Sequence, residues 1–374
     1  MKIIHVVTGL GDGGAEGVLF RLCTLDKKYS HLVISLSGEG KYGPLLRVKG
    51  IEVYSLGMKP NQPSLIAFIR LINLLRRKKP DVVQTWMPHA DLLGGIAARL
   101  AGVTSVVWGI RHTSLDHRLS KKTTIWIVKL LAKLSWRLPS RIAVCSKRAV
   151  DLHQAIGYDR SKMRFIPNGF NLEAYASQAE AALDLRSEWK VRPTTALIGT
   201  VGRYDPQKDH ANLLQAVSIL RDRNIFLRCV LVGSSLDSNN SELVSHINKL
   251  NLDEIILLLG GRTDIPAVMS ALDIHVLPSA YGEAFPNVVA EAMACETPCV
   301  VTDVGDAAFI VGGTGWTVPP RDAEALANAI EKALDESRKD QWLQHCHSAR
   351  QRIQTHFGIE RMISSYHKLW RESL

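Results

Sequence analysis

Short apolar runs alternate with segments of helical periodicity along the whole chain. In the first half, seven β-branched runs predict strands: KIIHVV, HLVISL, IEVYSL, DVVQTW, TSVVWGI, RIAVCS and MRFIPN. A polar, alanine-rich stretch at 171–193 interrupts the pattern, which resumes with six more predicted strands: ALIGTVG, LRCVLVG, IILLLG, IHVLPS, PCVVTD and GWTVPP. Apolar strands separated by helices are typical of parallel sheets covered on both faces. The pattern predicts an α/β fold with two doubly wound domains and a ligand cleft between the carboxyl ends of their strands.

The composition excludes several other classes of protein. With 374 residues and 46% hydrophobic residues, the chain is long enough for two cores of ordinary size. No apolar run approaches the roughly 18 residues needed to cross a bilayer, and no signal-peptide pattern follows Met1, so we expect a cytoplasmic protein. The six cysteines lie in apolar segments without a C-x-x-C pair, which predicts neither a zinc site nor a disulfide framework.

Charge is divided unevenly between the two halves. Residues 1–170 carry 27 Lys and Arg against 10 Asp and Glu, and the remaining residues carry 19 against 26. The first half is therefore at +17 and the second at −7, within a total of +10. This asymmetry predicts an anionic partner for the first domain, such as a phospholipid surface or a pyrophosphate-bearing acceptor. No aromatic-plus-basic RNA motif or zinc-finger spacing is present, so nucleic acid is not an expected partner.

A glycine turn follows the first predicted strand. Gly9, Gly11 and Gly14 fit G-x-G-x-x-G, the spacing of a dinucleotide-binding turn. An NAD site also needs an acidic residue at the end of the second strand, where only Glu39 qualifies. Three interpretations stay open at this point: an NAD site, another phosphate held by the loop amides, and a tight turn without a ligand.

Two carboxylates flank the start of a predicted helix in SAYGEAFPNVVAEAMACETPCVVTDVG, residues 279–305. Pro286 suits the first turn of that helix, because its missing N–H costs nothing there. Glu283 then precedes the helix, and Glu291 lies roughly 7 to 8 Å along its axis. A helix amino end between two carboxylates suits a nucleotide sugar, whose pyrophosphate would lie at the positive end. The alternative is a loop carboxylate and a solvated helix residue without a ligand.

Two cations follow the first strand of the second half, in GTVGRYDPQKDH at 199–210. Arg203 and Lys208 are five residues apart on a strand-exit loop that contains Pro206. A planar guanidinium and a compact ammonium together suit a pyrophosphate and could stabilise a departing nucleoside diphosphate. The alternative is a pair of solvated surface cations.

Taken together, these motifs resemble the retaining glycosyltransferases of family 4, which have the GT-B fold of two Rossmann-like domains facing across a cleft. The resemblance covers nearly the whole chain and rests on GGAE from Gly13, WMPHADLLGGIAARLAG from Trp86, GIRHT from Gly109, IPNGFN from Ile166, GRYDPQK from Gly202 and the E-x7-E element. It implies an N-terminal acceptor-binding domain at 1–172 and a C-terminal nucleotide-sugar domain at 173–355. The final helix, within 356–374, is expected to cross back to the first domain.

The resemblance also assigns roles to individual residues. Arg203 and Lys208 would bind the diphosphate, Glu283 would face the donor sugar, and His112 would lie near the reacting sugar as the fourth catalytic residue. The implied donor-binding set is Gly13, Gly14, Arg203, Lys208, Arg262, Thr263, Glu283, Ala284, Phe285, Pro286, Asn287, Val288 and Glu291. Glu291 would take the ribose, and Arg262 with Thr263 would contact the base. His89 and Glu16 would lie on the acceptor side.

The implied reaction is transfer of a hexose with retention at the anomeric carbon. The sequence lacks a D-x-D pair, so we expect no metal ion and no other cofactor. UDP-glucose is the first candidate donor, and GDP- and ADP-sugars remain alternatives. A glycan or lipid-linked glycan acceptor in surface or exopolysaccharide synthesis is the expected setting. Glu296 and Thr297 depart from the usual family residues after the E-x7-E helix, which puts packing detail in doubt more than chemistry.

Two basic helical segments lie in the first half. One begins at Ser120 and aligns Lys129, Lys133 and Arg137 at intervals of four, and the other, LIAFIRLINLLRRKK, ends in four consecutive cations. Either could lie on the anionic inner face of a membrane and present a lipid-linked glycan to the cleft. The alternative is a pair of ordinary domain helices, each with one basic solvated face.

Overall fold

The computed structural model describes residues 1–59, 64–113 and 122–374. The chain forms two compact units. Unit 1 comprises Met1–Gly169 together with Ile359–Leu374, and unit 2 comprises Phe170–Gly358. Every predicted strand is present, and the two parallel sheets confirm the predicted α/β fold class. No described helix has the length and apolar character required to cross a membrane.

Unit 1 contains a seven-stranded parallel sheet of order β3-β2-β1-β4-β5-β6-β7. Its strands are β1 (Lys2–Val7), β2 (Ser30–Ser35), β3 (Glu52–Ser55), β4 (Val82–Trp86), β5 (Val106–Ile110), β6 (Arg141–Val144) and β7 (Met163–Phe165). Its first six helices are α1 (Gly14–Leu25), α2 (Tyr42–Val48), α3 (Leu65–Lys78), α4 (Pro88–Leu100), α5 (Lys122–Leu134) and α6 (Lys147–Ala155). The central strands β4 and β5 are buried along their whole length, because helices cover both faces of the sheet.

Unit 2 contains a six-stranded parallel sheet of order β10-β9-β8-β11-β12-β13. Its strands are β8 (Ala196–Val201), β9 (Leu227–Val232), β10 (Ile256–Gly260), β11 (Ile274–Leu277), β12 (Cys299–Thr302) and β13 (Trp316–Val318). Its helices are α7 (Ala179–Glu188), α8 (His210–Asp222), α9 (Ser241–Lys249), α10 (Ile265–Ala271), α11 (Asn287–Ala294), α12 (Ala307–Val311), α13 (Ala323–Ser337) and α14 (Trp342–Phe357). Short 3₁₀ turns at Arg160–Lys162, Pro206–Lys208 and Gly312–Thr314 complete the two units.

The last helix, α15 (Ile359–Arg371), belongs to unit 1 although it follows unit 2 in the chain. Its buried face includes two aromatic side chains. Tyr366 and Trp370 are fully buried, and the Trp370 indole donates to Gln84 Oε1 at 3.1 Å. The His367 ring bonds to Asp26 Oδ2 at 2.7 Å. These contacts attach α15 to the sheet and to α1 of unit 1.

The divisions between the units lie three residues from those expected from the sequence, at 169/170 and 358/359 instead of 172/173 and 355/356. Phe170 explains the difference. Its backbone N–H donates to Phe357 O at 2.9 Å, and its ring stacks on Phe285, so both chain connections belong to the packing of unit 2.

Candidate active site

The strand order of unit 2 reverses between β8 and β11, which are hydrogen-bonded neighbours with Ile198 opposite Ile274. In open α/β sheets, ligands bind outside the carboxyl ends of the strands at such a reversal. The loops that follow these two strands carry Lys208 and Glu283. The Lys208 ammonium meets Glu283 Oε1 at 2.7 Å, with 14% and 9% of the two side chains exposed. The two residues assigned to diphosphate and sugar are therefore in direct contact.

Lys208 is held by a compact turn. Asp205 caps the 3₁₀ turn Pro206–Lys208 by accepting from the Gln207 backbone N–H at 2.9 Å. The carbonyl of Gln207 in turn accepts from the N–H of Ala280 at 2.9 Å. The loop after β8 is thereby bonded to the loop after β11, which fixes the spacing between Lys208 and the Glu283 loop.

Arg203 lies at a more open position on the same loop, with 58% of its side chain exposed. Its guanidinium pairs with Asp205 Oδ2 at 3.0 Å and contacts Gln207 Oε1 at 3.4 Å. Burial acts to raise the pKa of Asp205, but the Gln207 N–H and the Arg203 guanidinium outweigh it and leave the pKa below its usual value. Arg203 thus supplies an exposed positive charge, while Lys208 supplies an enclosed one.

The loop that carries Glu283 is fixed on two sides. Ser279 Oγ donates to Glu283 Oε1 at 2.8 Å, and the Asp306 backbone N–H donates to Ala284 O at 3.0 Å. Gly305 has a φ of +60° and lies against the Glu283 backbone, where a Cβ would come within 2.7 Å of the Glu283 carbonyl carbon. Glycine is required here both by its backbone conformation and by this close approach.

Helix α11 begins at Asn287, one residue later than expected. Pro286 occupies the position before the first helical residue, with φ −68° and ψ 98°, because its extended ψ does not continue into the helix. Ala284 and Phe285 are buried, and the Phe285 ring packs against Phe357 with centroids 5.4 Å apart. The side chain of Phe285 therefore belongs to the core, and only its backbone can face a ligand. Beyond them, Asn287, Val288 and Glu291 are half-buried.

Arg262 and Thr263 follow the edge strand β10, two strands away from β8. The Arg262 guanidinium binds both carboxylate oxygens of Asp264, at 2.8 and 2.6 Å, and lies 5.8 Å from the centre of the Trp189 ring. Asp264 and the further carboxylate Glu188 raise the pKa of Arg262. Thr263 is exposed. Arg262 is thus already occupied by an ion pair, which the sequence pattern did not indicate.

Two buried histidines near Lys208 were missed by the sequence analysis. Neither ring nitrogen of His210 or His275 has a hydrogen-bond partner among the described residues. Burial, reinforced by the Lys208 charge, lowers the pKa of His210 to about 4 and that of His275 to about 3. Both rings are therefore neutral near pH 7 and add no charge to the site. A histidine inside the apolar run IHVL was the one available sequence signal.

In unit 1, the glycine turn leads into α1, with Gly13 immediately before the helix and Gly14 as its first residue. A Cβ on Gly13 would come within 3.0 Å of Glu16 Cδ, so glycine leaves room for that carboxylate. Burial raises the pKa of Glu16. Glu39, which an NAD site would require, is ion-paired with Arg47, including a contact of 2.6 Å between Nη2 and Oε1.

His112 and His89 follow the adjacent strands β5 and β4 in unit 1. Burial and the neighbouring His153 lower the pKa of His112 to about 3, and the centres of the two rings are 4.9 Å apart. His89 is half-buried in the first turn of α4. Asp91, also missed by the sequence analysis, is buried two residues further on, and burial raises its pKa to about 7 against hydrogen bonds from Thr85 and Gly109.

One group of possible metal ligands occurs among the described residues: His5, Cys23 and His31, all buried. The hydrogen bonds of this group place protons on the ring nitrogens that a metal ion would need. The Trp86 indole N–H donates to His5 Nδ1, so the His5 proton lies on Nε2 and points to His31 Nδ1, 2.9 Å away, while His31 Nε2 bonds to Asp26 at 3.1 Å. A metal on His5 Nε2 would force a proton onto Nδ1, against the indole donor. The arrangement therefore fits a hydrogen-bonded chain better than a metal centre.

Two open parallel sheets, each covered by helices, are the architecture of the GT-B class, which solved glycosyltransferase structures share with this chain. Residues 12–174 match the family described as Glycosyltransferase Family 4, and residues 195–336 match the family described as Glycosyl transferases group 1. The chain belongs to glycosyltransferase family 4 and is a transferase. The glycine turn of unit 1 is accordingly part of a glycosyltransferase, and the dehydrogenase interpretation is wrong.

Curated relatives support the same family, and a solved structure supports the same fold. The chain is 29% identical over 317 residues to the Escherichia coli UDP-Gal:alpha-D-GlcNAc-diphosphoundecaprenol alpha-1,3-galactosyltransferase, covering 81% of this chain and 78% of the relative. It is 25% identical over 312 residues to a Campylobacter jejuni N-acetylgalactosamine-N,N'-diacetylbacillosaminyl-diphospho-undecaprenol 4-alpha-N-acetylgalactosaminyltransferase, covering 81% and 80%. The Anabaena Alr3699/HepE complex with UDP-glucose shares the fold at a TM-score of 0.86 and 22% identity, covering 98% of each chain.

Proposed function

We propose that this transferase moves a sugar from a UDP-sugar, with UDP-glucose as the first candidate, to a lipid-linked glycan or polysaccharide acceptor. The observation that carries the proposal is the enclosed contact between Lys208 and Glu283 at the strand reversal of unit 2. The Escherichia coli and Campylobacter jejuni relatives are named for diphosphoundecaprenol-linked acceptors, and the Anabaena structure contains UDP-glucose. These names favour a UDP-sugar and a lipid-linked glycan.

In the proposed reaction, Lys208 and Arg203 stabilise the negative charge that develops on the departing UDP. Glu283 accepts hydrogen bonds from hydroxyls of the transferred sugar, and the backbone of Ala284 and Phe285 orients that sugar. The acceptor hydroxyl forms the new bond to the anomeric carbon on the face from which the diphosphate departs, and its proton passes to the departing phosphate oxygen. The anomeric configuration is thereby retained. Positioning and charge stabilisation are the main tasks of the protein.

Donor selectivity is tested by calorimetric titration of UDP, GDP, ADP and NAD⁺ into the protein without added metal. We expect selective binding of UDP, weakened about 10- to 100-fold by Lys208→Met, because a charge-assisted contact to phosphate is lost. Lys249→Met is the matched control, since Lys249 is an exposed lysine on α9 of the same unit. Binding of NAD⁺, or UDP affinity that is equal in the two variants, would overturn the proposal. UDP-glucose, UDP-galactose and UDP-N-acetylglucosamine are then compared as donors by UDP release.

We also propose that unit 1 contacts the anionic surface of a membrane, on the cytoplasmic face of that membrane. Leu65 and Ile66 on α3 are 73% and 66% exposed, and the last turn of that helix is basic. Trp126 on α5 is 65% exposed on a helix that carries Lys129 and Lys133. Apolar side chains beside cations suit an interfacial contact with anionic lipid. Ser120 and Lys121, at the expected start of the basic segment that contains Lys129 and Lys133, lie outside the described residues.

Flotation with phosphatidylglycerol vesicles at low salt tests this contact. We expect binding that Trp126→Ser weakens and that neutral phosphatidylcholine vesicles do not support. Phe226→Ser is the control, because Phe226 is 83% exposed but lies in unit 2. Equal loss in the two variants, or no binding at low salt, would contradict the membrane proposal and leave the donor proposal intact.

A further inference from the structure

We propose that Ser279 is the positioning residue for Glu283, holding its carboxylate toward the transferred sugar after Lys208 has moved to the donor diphosphate. This inference rests on the roles proposed above for Glu283 and Lys208. Ser279 lies in the loop between β11 and α11, at the start of the segment 279–305. The motifs of the sequence assign it no function.

Ser279 and Lys208 bind the same atom. Ser279 Oγ lies 2.8 Å and Lys208 Nζ lies 2.7 Å from Glu283 Oε1. The lysine side chain is long and rotates readily, so a diphosphate with several negative oxygens would draw its ammonium away from the single carboxylate. The serine side chain has one short rotor, and it keeps its bond to Oε1 when the lysine leaves. Glu283 therefore retains a fixed donor at that oxygen during the exchange.

The position of Ser279 is itself set by the neighbouring strand. Ser279 is completely buried, and its carbonyl accepts from Thr302 Oγ1 at 2.6 Å. Thr302 is the last residue of β12, which pairs with β11 through Leu277 opposite Val301. The sheet register thus fixes Thr302, which bonds the serine backbone, and the serine hydroxyl in turn bonds the carboxylate.

The hydrogen-bond direction also suits the proposed chemistry. A serine hydroxyl donates its one proton to Oε1, which leaves the carboxylate an acceptor for hydroxyl donors of the sugar. Without this bond, the carboxylate would lose the buried donor that orients it toward the sugar once Lys208 has moved to the diphosphate. Removal of the hydroxyl should consequently impair the sugar-dependent step and leave binding of UDP itself largely unchanged.

The test compares Ser279→Ala and Ser279→Cys with the wild type, by the rate of UDP release from UDP-glucose and by the dissociation constant for UDP. We expect Ser279→Ala to lower kcat at least about tenfold, with the UDP dissociation constant changed by less than about twofold. Ser279→Cys fills the site but is a weak donor, so its kcat should fall in the same direction. Ser218→Ala, at another buried serine of unit 2, is the control for general loss of packing.

The Glu283→Gln variant distinguishes a failure of the positioning function of Ser279 from a failure of the function proposed for Glu283. If Ser279 acts through Glu283, Ser279→Ala should lower kcat by less than about twofold in the Glu283→Gln background. A full additional loss there, full activity of Ser279→Cys, or a parallel loss of UDP affinity would overturn the positioning function. Full activity of Glu283→Gln would instead overturn the proposed function of the site.

Discussion

Replacement of Gly305 by alanine tests whether the backbone position of the Glu283 loop controls the reaction. Gly305 has a φ of +60°. An added Cβ would clash first with the Glu283 carbonyl oxygen, and it would lie 2.7 Å from the Glu283 carbonyl carbon and 2.9 Å from Ala284 O. Gly260, in the same unit, has a φ of +63°, and an added Cβ would meet only Asp237 Cβ at an ordinary 3.7 Å. The two alanine variants thus share the backbone cost and differ in the clash.

The magnitudes follow from these distances. Alanine in the left-handed region costs roughly 1 to 2 kcal/mol at either position. At Gly305, the carbon–carbon distance falls about 0.8 Å short of ordinary contact, which begins near 3.5 Å. Overpacking of this kind costs about 1 to 3 kcal/mol more, or the Glu283 backbone moves by a similar distance. A displacement near 1 Å at a reacting centre can lower the rate about 100-fold.

The assay is urea unfolding together with UDP release from the UDP-sugar that binds most tightly. We expect Gly305→Ala to be less stable than Gly260→Ala by about 1 to 3 kcal/mol and to release UDP about 100-fold more slowly than the wild type. Equal stability of the two variants, or unimpaired release by Gly305→Ala, would refute the argument that Gly305 fixes the Glu283 loop.

Three further predictions concern metal, pH and the last helix. UDP release should persist in EDTA, because Arg203 and Lys208 are expected to neutralise the diphosphate, and a strict Mn²⁺ requirement would contradict this. Burial lowers the pKa of His275 to about 3 from 6.5, so between these pH values the unfolded chain binds a proton that the folded chain does not. The free energy of unfolding therefore falls by about 1.4 kcal/mol per pH unit as the pH drops below about 6.5. His275→Leu should reduce that slope between pH 6.5 and 4.5 in urea titrations, and an unchanged slope would argue against a neutral buried ring. Trp370→Ala should destabilise the protein to unfolding by about 3 to 5 kcal/mol, because the indole is fully buried, whereas Leu343→Ala at a 71% exposed position should change stability by less than about 0.5 kcal/mol.

The strands of both sheets could be predicted from the sequence because strand signals depend on local composition. Runs such as DVVQTW and PCVVTD are rich in β-branched and aromatic residues, which buried parallel strands favour. The contact between Lys208 and Glu283 could also be anticipated in outline, since both follow strands of the second half and the family resemblance assigns them to one ligand. The neighbouring positions of β8 and β11 then bring the two loops together.

Contacts that depend on side-chain geometry could not be predicted in the same way. The Arg262 bond to Asp264 spans only two residues, yet the sequence pattern does not distinguish a paired arginine from one available to a base. Ser279 acquires its contact from the course of its loop, and His275 its burial from a central strand. The observed start of α11 is one residue later than the predicted start at Pro286. Whether a proline is the first helical residue or the residue before it depends on its ψ, which composition does not specify.

The return of α15 to unit 1 makes unit 2 an insertion whose ends lie side by side. In unit 1, a Cβ on Gly169 would lie 2.9 Å from Ile359 Cα, and in unit 2 Phe170 is bridged to Gly358. If residues 170–358 were unfolded, closing so long a loop would cost about 4 to 5 kcal/mol of chain entropy. The folded insertion holds its own ends together. The packing of α15 on unit 1 therefore does not have to offset the entropy of closing that loop. Chain connectivity therefore makes the stability of unit 1 depend on the folding of unit 2, and a destabilising substitution in unit 2 can loosen α15 without touching it.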